Sequence, residues 1–201
     1  MFRAKVLGVA GMERQFAIKR FYPAVLARPE ALARLQQATR AYGGLEHPRI
    51  ARLAELGVAA GETFTATELV AGLDLARLVA MEPSERDRIP AGAGLGFVSA
   101  AARAMGYAHG RGVTHGGLCP TNLIATLDGD VKVTDVGVLG CRLGPRPAVD
   151  EALLGRLPYL APEQLLGETV AAAADVFALG VIAYELVSGV RPFGGATTLE
   201  I

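Results

Sequence analysis

The chain has 201 residues, enough for one compact domain or two small lobes around a sizeable core. It is 51% apolar and 20% charged, which excludes a disordered chain. Its 20 basic residues balance 20 acidic ones, so it lacks the electrostatic footprint of a nucleic-acid or anionic-membrane binder.

Cys119 and Cys141 make neither a disulfide framework nor a metal-ligand spacing, and fit a reducing, cytoplasmic setting. Arg3 and Lys5 precede an apolar run that superficially suggests a secretory signal. That run is too short, is interrupted by Glu13 and has no small-residue cleavage site after it.

Residues 2–7 and 14–21 read as strands joined by a glycine-containing turn at 8–11. Alternation puts Phe16, Ile18 and Arg20 on one face and Ala17, Lys19 and Phe21 on the other. A lysine in that setting is ordinarily a snorkelling surface residue. Over 29–42, Leu32, Leu35, Thr39 and Tyr42 recur at helical spacing between Pro29 and the Gly43-Gly44 stop. A loop at 46–50, strands at 51–57 and 62–70 and the breaker pair Ala71-Gly72 follow. A short helix at 73–80 then leads into a charged connector at 81–90.

The pattern predicts an alanine-rich helix over 94–109, stopped by Gly110, and a hairpin turn at Asp128-Gly129-Asp130 between short strands. The Gly- and Pro-rich stretch 138–158 reads as a loop, and 162–167 and 171–189 as helices. The most apolar window, 170–190, contains Asp175 and Glu185. It therefore reads as a buried core helix, with no membrane segment in the chain. Strands cluster before Gly72 and helices after it. This predicts an α+β chain in two lobes: a small antiparallel sheet plus one helix over 1–70, and a mainly helical part over 71–201.

Several short motifs occur in one order. They are Phe16-Ala17-Ile18-Lys19, Glu46-His47-Pro48-Arg49-Ile50, Thr67-Glu68-Leu69-Val70, His115-Gly116-Gly117, Cys119-Pro120-Thr121-Asn122 and Asp135-Val136-Gly137. Ala161-Pro162-Glu163, Asp175 to Gly180 and Gly189 to Phe193 complete the series. In this order and spacing the chain resembles the bacterial-type serine/threonine protein kinase domain, which implies a two-lobed kinase-like fold. Met1 to Ala4 aligns just after the family's glycine-rich phosphate loop, and Ile201 lies before its last helices. Those helices would supply an arginine for Glu163, which the resemblance reads as a buried carboxylate needing a partner.

Phosphoryl transfer is mostly positioning and charge stabilisation, so each position can be judged by the charge or proton it handles. The resemblance implies that Lys19 neutralises nucleotide phosphates and that Asn122 and Asp135, hard oxygen donors, hold magnesium. Glu68 and Val70 would bind adenine through the hinge backbone, with Thr67 as gatekeeper and Ala17 and Ile124 as apolar walls. The acceptor side departs from the family. Its general base falls at Gly117, the lysine two residues on at Cys119, and the threonine that bonds the base at Arg156. No residue near Cys119 is expected to replace the lost cation, and the hairpin carboxylates Asp128 and Asp130 are not expected to reach the acceptor. The partner glutamate of Lys19 falls at Ala38. Residues 138–158 contain no Ser, Thr or Tyr to phosphorylate, matching Gly116 where the family has a phosphate-reading arginine.

These losses point to a pseudokinase, a signalling module that regulates or binds a protein partner without transferring phosphate. A weakly active serine/threonine kinase and a non-binding fragment are the alternatives. For the cofactors ATP and Mg²⁺ the residues divide. Lys19, Asn122 and Asp135 favour binding, while Ala38 and the absent phosphate loop oppose it. His47 and His115 read as packing and backbone-bonding residues, His109 as a helix end and Cys119 as a small buried filler.

Overall fold

The computed structural model describes residues 1–7, 13–81, 92–141 and 151–194. Strand β1 (Phe2–Leu7) pairs antiparallel with β2 (Glu13–Arg20), and the turn expected at 8–11 lies outside the described residues. β2 pairs with β4 (Glu62–Glu68), which also pairs with β3 (Leu53–Ala59), giving the order β1-β2-β4-β3. Helix α1 (Pro29–Gly43) has proline in its first turn and buries Ala31, Leu35, Thr39 and Tyr42 along one stripe. Tyr42 anchors its end by donating its hydroxyl to the Ala51 carbonyl at 2.5 Å.

The strand expected at 51–57 lies two residues later because the preceding residues serve a different sheet. The Ala51 N–H donates to the Val133 carbonyl and the Val133 N–H to the Arg49 carbonyl, each at 2.8 Å. That bridge ties the four-stranded sheet to a second one, β5-β6-β7: β5 (Gly72–Asp74), β6 (Leu123–Thr126) and β7 (Val131–Val133).

Strand β5 corrects the helix expected from residue 73. Gly72 to Asp74 pair with Thr126 to Ile124 of β6, and α2 (Leu75–Val79) begins only after them. Asp74 is its N-cap, accepting the Arg77 N–H at 3.0 Å. Local periodicity cannot register a strand whose backbone partner lies some fifty residues on.

Helices α3 (Ala93–His109) and α6 (Ala172–Ser188) form the centre of the larger lobe. Ala100, Ala101, Ala104, Met105 and Ala108 share one core with Ala178, Leu179, Val181 and Ile182. Small side chains let the two helices approach closely. Gly189 stops α6 in the left-handed conformation at φ 71°.

The expected loop 138–158 is more ordered than its composition suggests. It contains 3-10 turns at Val138–Cys141 and Leu157–Tyr159 and the short helix α4 (Glu151–Leu154); residues 142–150 lie outside the described residues. Leu139, Leu153, Leu157 and Leu160 cluster together, and this burial organises the stretch. A further short helix, α5 (Pro162–Leu165), follows. Glu163 within it is only half-buried, so no orphaned buried carboxylate arises there. The buried glutamate is Glu185, which accepts hydrogen bonds from the Tyr159 hydroxyl and, at 3.3 Å, from Arg191 Nε. Among the described residues no helix is long and apolar enough to cross a membrane.

Candidate active site

The loop around Gly116 is held from below by one carboxylate. Asp175, in the first turn of α6, is 1% exposed and accepts the His115 N–H and the Gly116 N–H, each at 2.8 Å. His109 Nε2 lies 2.7 Å from Asp175 Oδ2. His109 thus does more than end its helix. Gly116 adopts φ 66°, a conformation that suits glycine. Gln164 locks the same peptide, donating Nε2–H to the Gly116 carbonyl at 2.8 Å.

On the nucleotide side, Lys19 lies between the lobes and pairs with Asp135, its Nζ 2.6 Å from Oδ2. The lysine expected to lack a partner at Ala38 therefore has one. Burial pushes the Asp135 carboxyl upward. The Lys19 charge and hydrogen bond outweigh it and, with Arg156 and His115 adding to them, hold that carboxyl below the usual carboxylate range. Asp135 adopts φ 62°, a left-handed backbone stabilised by its surroundings. Helix α1 presses on the next turn: a Cβ added at Gly137 would come within 3.2 Å of Ala38 Cβ. The small residue at position 38 lets the helix sit there.

On the acceptor side the position expected to hold a base is filled. A Cβ built on Gly117 would lie 2.4 Å from Leu139 Cδ2 and 2.6 Å from Leu139 Cβ. Cys119 is a buried filler as expected; its thiol donates to Asn122 Oδ1 at 3.0 Å. No cation was expected near Cys119, and Arg156 places one there. Its Nη1 donates to Asn122 Oδ1 at 2.8 Å and to the Gly117 carbonyl at 3.2 Å. The Asn122 amide completes the network, donating Nδ2–H to Asp135 Oδ2 at 3.3 Å. Asp130 pairs with Arg49 at 2.6 Å, well away from this network.

A hollow of about 310 Å³ opens onto the network and is lined by Lys19, Asn122, Asp135 and Arg156 among others. Ala17, Thr67, Glu68, Val70 and Ile124 are not in its lining. Ala17 and Thr67 face each other in register across β2 and β4, and Thr67 is buried. Glu68 ends β4 and engages Lys132 Nζ at 2.5 Å, Val70 is half-buried just beyond, and Ile124 lies on β6 opposite Lys132. Lys19, Asn122 and Asp135 thus line this hollow, and the residues expected at the adenine end do not. Sequence reasoning missed Leu139, for which four residues of spacing after Asp135 gave no signal. It also missed the position of Arg156, whose only signal was a cation where the family has threonine.

His115 carries a pH dependence. Its Nε2–H donates to the Thr134 carbonyl at 2.9 Å, while Nδ1 is buried with no hydrogen-bond partner among the described residues. Burial lowers its pKa, and Asp175, the Thr134 bond and Asp135 only partly oppose this. The unfolded imidazole titrates near its ordinary value of about 6.5, so below that pH the unfolded state binds the proton more readily. Stability from neutral His115 is complete above about pH 6.5 and is lost as pH falls toward the depressed folded value. Denaturant titrations between about pH 7.5 and 5 should show falling stability, with His115→Asn reducing the slope by roughly one proton. An unchanged slope would assign the dependence elsewhere.

The description "Protein kinase domain" matches residues 5–201. A sheet-plus-helix lobe joined to a helical lobe, with a lysine–aspartate pair in the cleft, is the architecture of that class, and the chain belongs to the protein kinase domain family. It is 34% identical over 209 residues to "Tyrosine-protein kinase MasK" of Myxococcus xanthus, covering 100% of this chain and 32% of that protein. It is 34% identical over 200 residues to "Serine/threonine-protein kinase PknA" of Mycobacterium tuberculosis, covering 94% and 44%. The PknI kinase domain of Mycobacterium tuberculosis superposes with TM-score 0.72 at 30% identity, covering 92% of this chain and 66% of that one. The chain therefore spans less than half the length of these curated relatives.

Proposed function

We propose that this domain is a pseudokinase: it holds a nucleotide phosphate group at Lys19 and acts as a regulatory or interaction module for a protein partner, without transferring phosphate. The observation that carries this reading is the packing of Leu139 into the space where a base at position 117 would project. A missing base costs typically a hundredfold to ten-thousandfold in rate. Here apolar Leu139 also fills the space such a base would occupy. In this reading Lys19 meets phosphate, Asn122 and Asp135 orient that end of the cleft, and Ala17, Thr67, Glu68, Val70 and Ile124 serve the adenine end once the lobes close. The retained Lys19–Asp135 pair and the similarity to proteins named as kinases support the second reading, a weakly active serine/threonine kinase.

A radiolabelled phosphate-transfer assay on the full chain, using a generic acceptor protein and Asp135→Ala as control, separates them. Incorporation is expected at background and indistinguishable between the two proteins. Transfer that disappears in Asp135→Ala would establish the enzyme reading.

A further inference from the structure

The resemblance implies a magnesium ion on Asn122 and Asp135, but Asn122 Oδ1 and Asp135 Oδ2 are already engaged and not free to take one. Magnesium requires oxygen ligands in near-octahedral geometry. Asn122 Oδ1 is already occupied by Arg156 Nη1 at 2.8 Å and by the Cys119 thiol at 3.0 Å. Asp135 Oδ2 is occupied by Lys19 at 2.6 Å and by the Asn122 amide at 3.3 Å. The amide cannot simply turn over, because its oxygen faces two donors and its nitrogen a carboxylate.

Charge points the same way. The floor of the hollow holds two cations, Lys19 and Arg156, against the single carboxylate Asp135, while Arg20 and Glu62 in the same lining pair with each other at 2.8 Å. A dication would enter beside two fixed positive charges, a repulsion strengthened by the low dielectric of a buried site. A polyphosphate would meet that surplus favourably. Among the described residues Arg156 uses only Nη1 for its two protein bonds. A guanidinium fork suits phosphate oxygens better than an ammonium does.

We propose that the cleft takes the polyphosphate of a nucleoside triphosphate without a divalent cation, Arg156 supplying the positive charge that a metal would otherwise supply. This rests on the reading of the cleft as a nucleotide site. Arg156 reaches Asn122 beside Cys119, whose short, uncharged thiol bonds the same amide oxygen at 3.0 Å. The acceptor-side losses and the metal-free mode are then one rearrangement.

Calorimetric titration of the full chain with ATP, in excess EDTA and in excess Mg²⁺, tests it. The wild-type affinity is expected to agree within about twofold between the two conditions. Arg156→Gln, checked for folding by its unliganded melting midpoint, should lose about tenfold in EDTA and recover part of that with Mg²⁺. Wild-type binding that requires Mg²⁺ would overturn this proposal and leave the nucleotide reading intact. Absence of binding in both conditions would overturn both.

Discussion

Asp175→Ala is expected to destabilise the domain by roughly 3–5 kcal/mol, the range for breaking a buried charged hydrogen-bond network. The carboxylate is 1% exposed and satisfies the His115 and Gly116 N–H groups at 2.8 Å and His109 at 2.7 Å. Alanine leaves two backbone donors in a dry interior and a ring nitrogen without its acceptor. For a domain of this size the melting midpoint should fall by on the order of 10 °C. Asp175→Asn retains one acceptor oxygen but turns an amide toward a donor, so its loss should be intermediate. Melting followed by circular dichroism measures both. A midpoint within about 2 °C of wild type for the alanine variant would show that α6 does not support the loop.

Introducing a carboxylate by Gly117→Asp, at the position read as the family's base, is expected to destabilise the domain without producing phosphate transfer. The new Cβ alone would lie 2.4 Å from Leu139 Cδ2 and 2.6 Å from Leu139 Cβ. Overpacking of this kind costs about 1–3 kcal/mol, and an unpaired carboxylate against leucine adds to it. The double variant Gly117→Asp/Leu139→Gly removes both obstructing atoms, so its destabilisation should be smaller than the sum of the two single losses. Paired melting curves and the phosphate-transfer assay check both expectations. Robust transfer by Gly117→Asp alone would mean that Leu139 moves aside without cost.

Two features of the fold were read correctly from local sequence because their causes are local. Tyr42 and Leu35 fall on the buried stripe of α1 by helical spacing, and Asp175 and Glu185 mark α6 as a core helix that must satisfy two carboxylates. The correction at β5 has a non-local cause. Gly72 to Asp74 carry no strand pattern and are extended only because β6 offers them an edge. Leu139 is similar: it is unremarkable in the chain, but decisive once the turn at Val138–Cys141 aims it at Gly117.

The motifs in order, from Phe16-Ala17-Ile18-Lys19 to Ala161-Pro162-Glu163, determined the family without any coordinates, and with it which positions are expected to be retained and lost. They did so because phosphate chemistry requires particular side chains at particular places along the chain. Which side chains meet was decided by the tertiary structure alone. Lys19 and Asp135 stand 116 residues apart, and Arg156 and Asn122 stand 34 apart. The first contact depends on how the two lobes close around one cleft, the second on packing within the larger lobe. The cation at the floor of that cleft, the leucine in place of a base and the engaged donor oxygens all follow from packing between distant segments.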